Sequence, residues 1–295
     1  MANGIIVMDK PEGWTSHDVV AKIRGILHEK RVGHAGTLDP MATGVLPVFV
    51  GRATRAVEFA AETGKEYRAV LRLGITTDTQ DSTGTILTQR PVTCTPAEVE
   101  AALAPFRGDI LQLPPMYSAL KRDGKCLYEL ARQGKTVERD LRPITIYELE
   151  LEDRELPPGP EYHLRIRCSK GTYIRTLCHD IGEALGCGGV MSALRRTEAA
   201  GFTLENAITM DQLQAAAGTG AAADLLLPVD SYFARHPVLT ADADGAFHIR
   251  NGTAYPCTAP AGTYRVYAGD GAFLMLGHAD GVKMETIKSF FEVTL

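Results

Sequence analysis

From Arg31 to Pro47 the chain reads R-V-G-H-A-G-T-L-D-P-M-A-T-G-V-L-P, and the apolar run then continues to Val50. Proline at 40 disfavours the α region for the residue before it, so Asp39 is expected to sit extended with its carboxylate aimed. Gly33, Gly36 and Gly44 are expected to supply left-handed turns or close backbone approach around it. His34, Thr37 and Thr43 are the remaining hydrogen-bonding side chains of this cradle. The run Val45 to Val50 reads as a strand buried on both faces. Taken alone, an Asp-Pro loop reads as a turn whose Asp bonds its own backbone. Only the wider pattern makes the single carboxylate a candidate for chemistry.

Working outward, Ile5 to Met8 reads as a strand, and Ser16 as the cap of a helix with the stripe Val19, Val20, Ile23 and Leu27. A helix is expected from Thr54 to Ala61. An alternating strand follows, with Tyr67, Leu71 and Leu73 opposite Arg68, Val70 and Arg72. Thr95-Pro96-Ala97-Glu98 is a capping box with proline at the first helical position, opening a helix that ends near Gly108. Ile144 to Leu151 and His163 to Cys168 read as strands, and Ile174, Leu177, Ile181 and Leu185 as the stripe of a helix stopped by Gly186. Strands neighbour strands without strict βαβ alternation. The fold class is therefore α+β, with a mixed, largely antiparallel central sheet flanked by helices. Between Ala215 and Ala223 the sequence thins to small residues, and beyond Pro237 it changes to short β-like pieces. Two domains are expected, 1–235 and a small β-rich 236–295.

The chain has 295 residues, 45% hydrophobic and 23% charged, enough to bury a substantial core. No stretch approaches the roughly 18 apolar residues of a membrane span, and the start lacks a basic region followed by an apolar signal core. A cytoplasmic location is expected, without membrane contact. Cysteines 94, 126, 168, 178, 187 and 257 form no C-x-x-C pair, so neither a disulfide framework nor a zinc site is encoded. His163, His179, His236 and His248 have no ligand spacing, and no metal is expected. The net charge of −5 argues mildly against a nucleic-acid partner. Its distribution argues the other way. Basic residues cluster at Lys121, Arg122, Lys125, Arg132 and Lys135, then at Arg165, Arg167, Lys170 and Arg175, and at Arg195 and Arg196. Much of the acid falls elsewhere, at Glu148, Glu150, Asp153 and Glu155 and in the C-terminal segment.

The motif loop resembles the catalytic motif of the TruB family of pseudouridine synthases, which act on uridine 55 in the T arm of transfer RNA. Lys10-Pro11-x-Gly13, K-E-Y-R around Tyr67, P-P-M-Y-S-A-L-K at 114 to 121, S-K-G-T-Y-I-R-T at 169 to 176 and A-L-R-R at 193 to 196 fall in family order, covering residues 4 to about 235. The resemblance implies the pseudouridine synthase fold, with a PUA-like RNA-binding module at 236–295. It implies isomerisation of uridine by cleavage of C1′–N1 and rejoining of C1′ to C5, with no cofactor and with a transfer RNA T-arm stem-loop as partner. A monomer is expected. Asp39 matches the catalytic carboxylate, Arg175 its cationic partner, and Tyr67 the tyrosine that packs on the target base. Leu194 matches the residue closing the uracil pocket, and Tyr173 lies beside Arg175 in its motif. Lys10 matches a lysine supporting the site, Arg55 the basic residue after the motif strand, and His34 the residue expected to enter the gap left by the extruded base.

Two positions depart from the family pattern. Cys126 stands where a basic residue is usual, and Val190 replaces a more polar one in an expected turn after Gly188. The competing function is a non-catalytic RNA-binding or chaperone protein on a synthase scaffold, which would not need Asp39, Tyr67 and Arg175 together. A guide-RNA-dependent synthase is the third possibility, and the compact chain without long basic tails favours the stand-alone kind.

Overall fold

The computed structural model describes residues 2–122, 124–152 and 159–291; Asp153 and Glu155 lie outside them. Strand β1 (Gly4–Lys10) runs into helix α1 (Ser16–Leu27), and a short β2 (Val32–His34) leads through the motif loop into β3 (Thr43–Val50). A 3-10 turn over Gly51–Ala56 and α2 (Val57–Ala61) precede β4 (Lys65–Leu73), the hairpin β5 (Ile75–Thr77) and β6 (Ile86–Gln89), then α3 (Pro96–Leu103) and β7 (Gly108–Gln112). An excursion carries the ribbon β8 (Lys121–Arg122) and β9 (Lys125–Cys126) and helix α4 (Leu127–Arg132). Next come β10 (Arg142–Leu151), β11 (Glu161–Cys168), α5 (Ile174–Ala184) and β12 (Gly189–Ala199). After β13 (Phe202–Thr203) and α6 (Met210–Gly218) the chain forms β14 (Val238–Thr240), α7 (Ala243–Arg250), β15 (Tyr255–Pro256), β16 (Gly262–Tyr267), β17 (Phe273–Ala279) and β18 (Lys283–Ser289).

The large sheet has the order β1-β3-β12-β4-β11-β10-β7, with β2 on β3 and β13 on β12. Within it, β3 and β12 pair parallel, and the other described pairings are antiparallel. The mixed, largely antiparallel α+β sheet is the one expected. β3 is apolar on successive residues because both its faces are covered. Val45 and Phe49 join one apolar cluster with Ile5 and Phe233, while Leu46 and Val48 join another with Val19 and Ile23 of α1. β4 alternates because one face alone is covered: Tyr67, Ala69, Leu71 and Leu73 are buried, and Arg68 and Arg72 are exposed. On the covered face Ile174, Leu177 and Ile181 of α5 share a cluster with Tyr67, Leu71 and Ile166.

A second sheet, β14-β16-β17-β18-β15, carries the C-terminal part. Phe273 and Phe290 stack at 5.3 Å, and Phe290 lies 5.5 Å from Phe233, so this sheet shares an aromatic cluster with the main body.

Local readings are corrected at several points. Thr15, not Ser16, caps α1: its hydroxyl accepts from the Asp18 N–H while Asp18 accepts from the Thr15 N–H at 2.8 Å. Ser16 is buried one position on and serves the motif loop instead. Residues 54–61 divide between the 3-10 turn and a single turn of α-helix. Gly33 is an ordinary strand residue of β2 with room for a side chain, its nearest neighbour to an added Cβ being Val57 at 3.8 Å. Val190 lies in no turn; it is fully buried in β12, paired with Arg72. Cys126 sits at the N-cap position of α4.

Candidate active site

One register row crosses the sheet under the motif loop. Lys10 pairs with Gly44, Gly44 with Arg196, Arg196 with Tyr67, and Tyr67 with Ile166. Side chains on one row of a sheet share a face. Lys10, Arg196 and Tyr67 therefore project together beneath the loop, with exposures of 0%, 0% and 7%. Gly44 must be glycine at this crossing: its φ is +103°, and an added Cβ would lie 2.2 Å from the Arg196 carbonyl oxygen.

Four anchors hold the loop above this row. Ser16 Oγ accepts from the Leu38 N–H at 2.9 Å and donates to the Leu38 carbonyl at 3.2 Å. Lys10 Nζ donates to the carbonyls of Pro11 at 2.8 Å and Pro40 at 3.3 Å. The Gly13 N–H also donates to the Pro40 carbonyl at 2.8 Å. Arg196, buried below, donates through Nε to Val45 O at 2.7 Å and through Nη2 to Gly36 O at 3.0 Å. Gly36 adopts φ +82°, a conformation that suits glycine as the chain passes over Arg196.

Asp39 projects from this scaffold toward the N-terminus of α5. Arg175 Nε lies 2.9 Å from Asp39 Oδ2, and Nη2 lies 3.4 Å from Oδ1. The guanidinium is itself immobilised: it donates to Tyr117 O at 2.8 Å and Thr79 O at 3.2 Å, and stands 3.8 Å from Asp81 Oδ2. The Arg175 side chain is 7% exposed and that of Asp39 is 38% exposed, so the carboxylate is the member of the pair that a ligand can reach. Burial pushes the Asp39 carboxyl above the usual carboxylate range, Asp81 adds to this, and Arg175 opposes it. Burial pulls the Lys10 ammonium down to about 8, with the Asp39 carboxylate opposing. The Tyr67 phenol is raised by burial and eased by the facing Arg196. A reachable carboxylate thus stands beside a fixed guanidinium at the mouth of a largely buried floor, a setting in which a carboxylate can serve as nucleophile or electrostatic group.

The remaining expected residues are placed unequally. Leu194 is two residues before Arg196 on the same face of β12, in one buried cluster with Leu38, Ala42 and Tyr67. Tyr173 caps α5 two residues before Arg175. His34 ends β2 at the start of the loop, edge-on to His17 at 5.6 Å. Burial and the nearby His17 pull the His34 imidazole down to about 4, and its buried Nδ1 has no hydrogen-bond partner among the described residues. Arg55 lies exposed on the 3-10 turn after β3, and among the described residues it forms no ion pair with Asp39.

The basic clusters divide. Lys121, Arg122 and Lys125 are exposed on the β8–β9 ribbon. The second cluster is neutralised by acids from neighbouring strands. Arg165 lies 2.9 Å from Glu66, 3.4 Å from Glu148 and 3.5 Å from Glu150, and Arg167 lies 3.6 Å from Glu148. Lys170 pairs with Glu62. In the third, Arg195 pairs with Asp9 at 2.7 Å and Arg196 is buried.

Sequence reasoning missed Asp81, which is 5% exposed and accepts from Thr79 Oγ1 at 2.8 Å, Thr83 N at 2.9 Å and Thr83 Oγ1 at 2.6 Å. It also counted Arg196 with Arg195 as one basic spot, whereas Arg196 is fully buried. Period two from the pocket residue Leu194 was the available signal, since positions 194 and 196 of one strand share a face. Among the described residues there is no cluster of metal-ligating side chains, and no helix is long and apolar enough to cross a membrane. The cysteines are free thiols.

Comparisons with known proteins place the chain in a family. The family model for the N-terminal domain of TruB family pseudouridylate synthase matches residues 24–174, and that for the tRNA pseudouridylate synthase B C-terminal domain matches 175–234. The tRNA pseudouridine synthase B of Ralstonia pickettii is 48% identical over 255 residues, 86% of this chain and 80% of that protein. Its counterpart from Stutzerimonas stutzeri is 45% identical over 282 residues, 93% of this chain and 91% of that protein. Among solved structures, a chain of a Cbf5-Nop10-Gar1 complex superposes with a TM-score of 0.73 at 28% identity, over 98% of this chain and 85% of that one. A chain of an H/ACA RNP bound to a substrate RNA containing 2′-deoxyuridine gives 0.72 at 25% identity, over 99% and 86%. With the matched segments spanning the motif loop, β4, α5 and β12, this chain belongs to the TruB family of pseudouridylate synthases.

Proposed function

We propose that this chain isomerises uridine 55 in the T arm of transfer RNA to pseudouridine. The observation that carries the reading is the Asp39–Arg175 pair, a reachable carboxylate held 2.9 Å from an immobilised guanidinium. Asp39 acts either at ribose C1′ or at C6 of the base. The C1′–N1 bond breaks, the uracil turns, C1′ joins C5, the C5 proton leaves and N1 takes one up. Atoms and electrons balance without a cofactor. Tyr67 packs against the base and Leu194 closes its pocket. Lys10 and Tyr173 support the loop and the helix end, and Arg55 contacts the RNA backbone outside the pocket.

A stacked uridine must be extruded before it can react, at a cost of a few kcal/mol. His34, neutral at physiological pH with an unpartnered nitrogen, enters the gap, where aromatic stacking is worth about 1 to 3 kcal/mol per base. The exposed Lys121, Arg122 and Lys125 hold the stem backbone. Residues 1–235 form the catalytic unit and 236–295 a PUA-like RNA-binding unit of a cytoplasmic monomer. Identity of 48% to a protein named tRNA pseudouridine synthase B, against 25% to the RNP chain, supports transfer RNA as the substrate. The test is incubation of the purified protein, without additives, with a T-arm stem-loop, followed by nucleoside analysis. Pseudouridine at position 55 supports the reading; binding without conversion indicates the non-catalytic RNA-binding alternative.

A further inference from the structure

Gln112 ends β7, the edge strand of the large sheet, and is 3% exposed. Its amide makes two hydrogen bonds to a single residue. Nε2 donates to the Tyr173 carbonyl at 3.0 Å, and Oε1 accepts from the Tyr173 N–H at 2.8 Å. Only one orientation of the amide satisfies both, so the pair fixes the side chain as well as the backbone it grips. The first N–H groups of a helix have no acceptor within it, and Tyr173 makes no side-chain cap for α5. Gln112 thus acts as a detached strand partner for the residue that begins α5. Two residues later comes Arg175. Five residues after Gln112, Tyr117 offers its carbonyl to Arg175 Nη2 at 2.8 Å. Segment 112–117 therefore holds the first turn of α5 both by its backbone and by the guanidinium.

We propose that Gln112 is a positioning residue for the isomerisation, fixing the start of α5 so that Arg175 meets Asp39 in the geometry the reaction requires. The inference rests on the reading of Asp39 and Arg175 as the reacting pair. Displacement of a reacting group by about 1 Å can cost about a hundredfold in rate, which sets the scale of the effect.

The test uses Gln112→Met, which keeps length and most of the volume but removes both hydrogen bonds, and Gln112→Glu, which keeps an acceptor for the Tyr173 N–H. Thermal melting establishes the folded fraction of each. On saturating T-arm stem-loop, Gln112→Met is expected to lower the single-turnover rate by about 10- to 100-fold, with affinity within a few-fold of the parent. Its acid limb should move to higher pH, because a less well placed guanidinium opposes protonation of Asp39 less. Gln112→Glu should recover part of the rate. A folded Gln112→Met with the parent rate and pH profile overturns the proposal, as does a loss that follows only the unfolded fraction. Asp39→Asn is measured alongside. If it keeps turnover, the reading of the pair fails whatever Gln112 does; if it is inactive while Gln112→Met is unaffected, only the inference about Gln112 fails.

Discussion

Replacing Arg175 by methionine removes a buried cation while leaving a side chain of similar length, and its effect should depend on pH. On the proposed reading Asp39 acts in its ionised form, so activity should rise with pH through its pKa. Burial and Asp81 already push that pKa upward, and Arg175 holds it back. A guanidinium beside a carboxylate favours the ionised form by about 1.4 to 4 kcal/mol. That figure is discounted here to about 1 to 2 kcal/mol, because 38% of the Asp39 side chain still faces solvent, which screens the pair. Losing it removes about 5- to 30-fold of the ionised population once the pH is below the parent's pKa, and less between the two pKa values. A pH-independent loss is added, because the missing guanidinium also shaped the site through Tyr117 and Thr79. The assay is the single-turnover rate of pseudouridine formation on saturating stem-loop, for parent and variant, across the range from acid to mildly alkaline pH. The ratio of parent to variant rate should grow as pH falls. A ratio that stays constant across the range refutes the argument, because Arg175 would then not govern the ionisation of Asp39.

Asp39→Asn should abolish turnover while leaving stem-loop affinity within a few-fold; a mere tenfold loss, about 1.4 kcal/mol of barrier, is too small for a nucleophile and would remove the assignment. Lys121→Glu with Lys125→Glu should weaken filter binding and flatten its salt dependence by about 0.7 to 0.9 in log K for each phosphate no longer neutralised, sparing the rate of bound substrate. Arg165→Gln with Arg167→Gln should leave that slope nearly unchanged, because these guanidinium groups already lie against Glu66, Glu148 and Glu150; an equal flattening would show that the ion pairs open for RNA. Gly44→Ala, strained at φ +103° and driven into the Arg196 carbonyl, should cost about 3 kcal/mol in denaturant unfolding, and a change below about 0.5 kcal/mol would contradict the close crossing.

What could be read from the sequence was local. The Asp-Pro step, the glycines at 36 and 44, and the alternation around Tyr67 are short-range signals, and each marks a feature that the fold uses. What escaped was set by partners distant in sequence. The run Arg165 to Lys170 contains no acid, yet β4, β10 and the α2 region bring four glutamates to it. β12 went unrecognised because its register shifts, between Met191 and Ala193 and between Arg196 and Glu198, interrupt period two. With the strand unseen, Arg195 and Arg196 looked like one basic spot, whereas they face opposite sides and do different work. Asp81 stands in a threonine-rich turn, and only the approach of α5 makes it a partner of Arg175.

The placement of β12 also governs the order in which the enzyme comes into being. It is the late strand of the large sheet, made after β1, β3, β4, β7, β10 and β11, yet it lies between β3 and β4. At about 5 to 20 residues per second, about 8 to 30 s of synthesis separate Asp39 from Arg196. Throughout that interval β4 and the start of β3 at Thr43 and Gly44 lack the partner that β12 supplies, and the loop lacks the guanidinium that staples it from below. Entry of β12 then supplies that partner and completes the floor under the carboxylate in the same event. A nascent chain halted before that strand has neither a finished sheet nor a finished pocket, so maturation of the fold and onset of catalysis fall together at one late, long-range step.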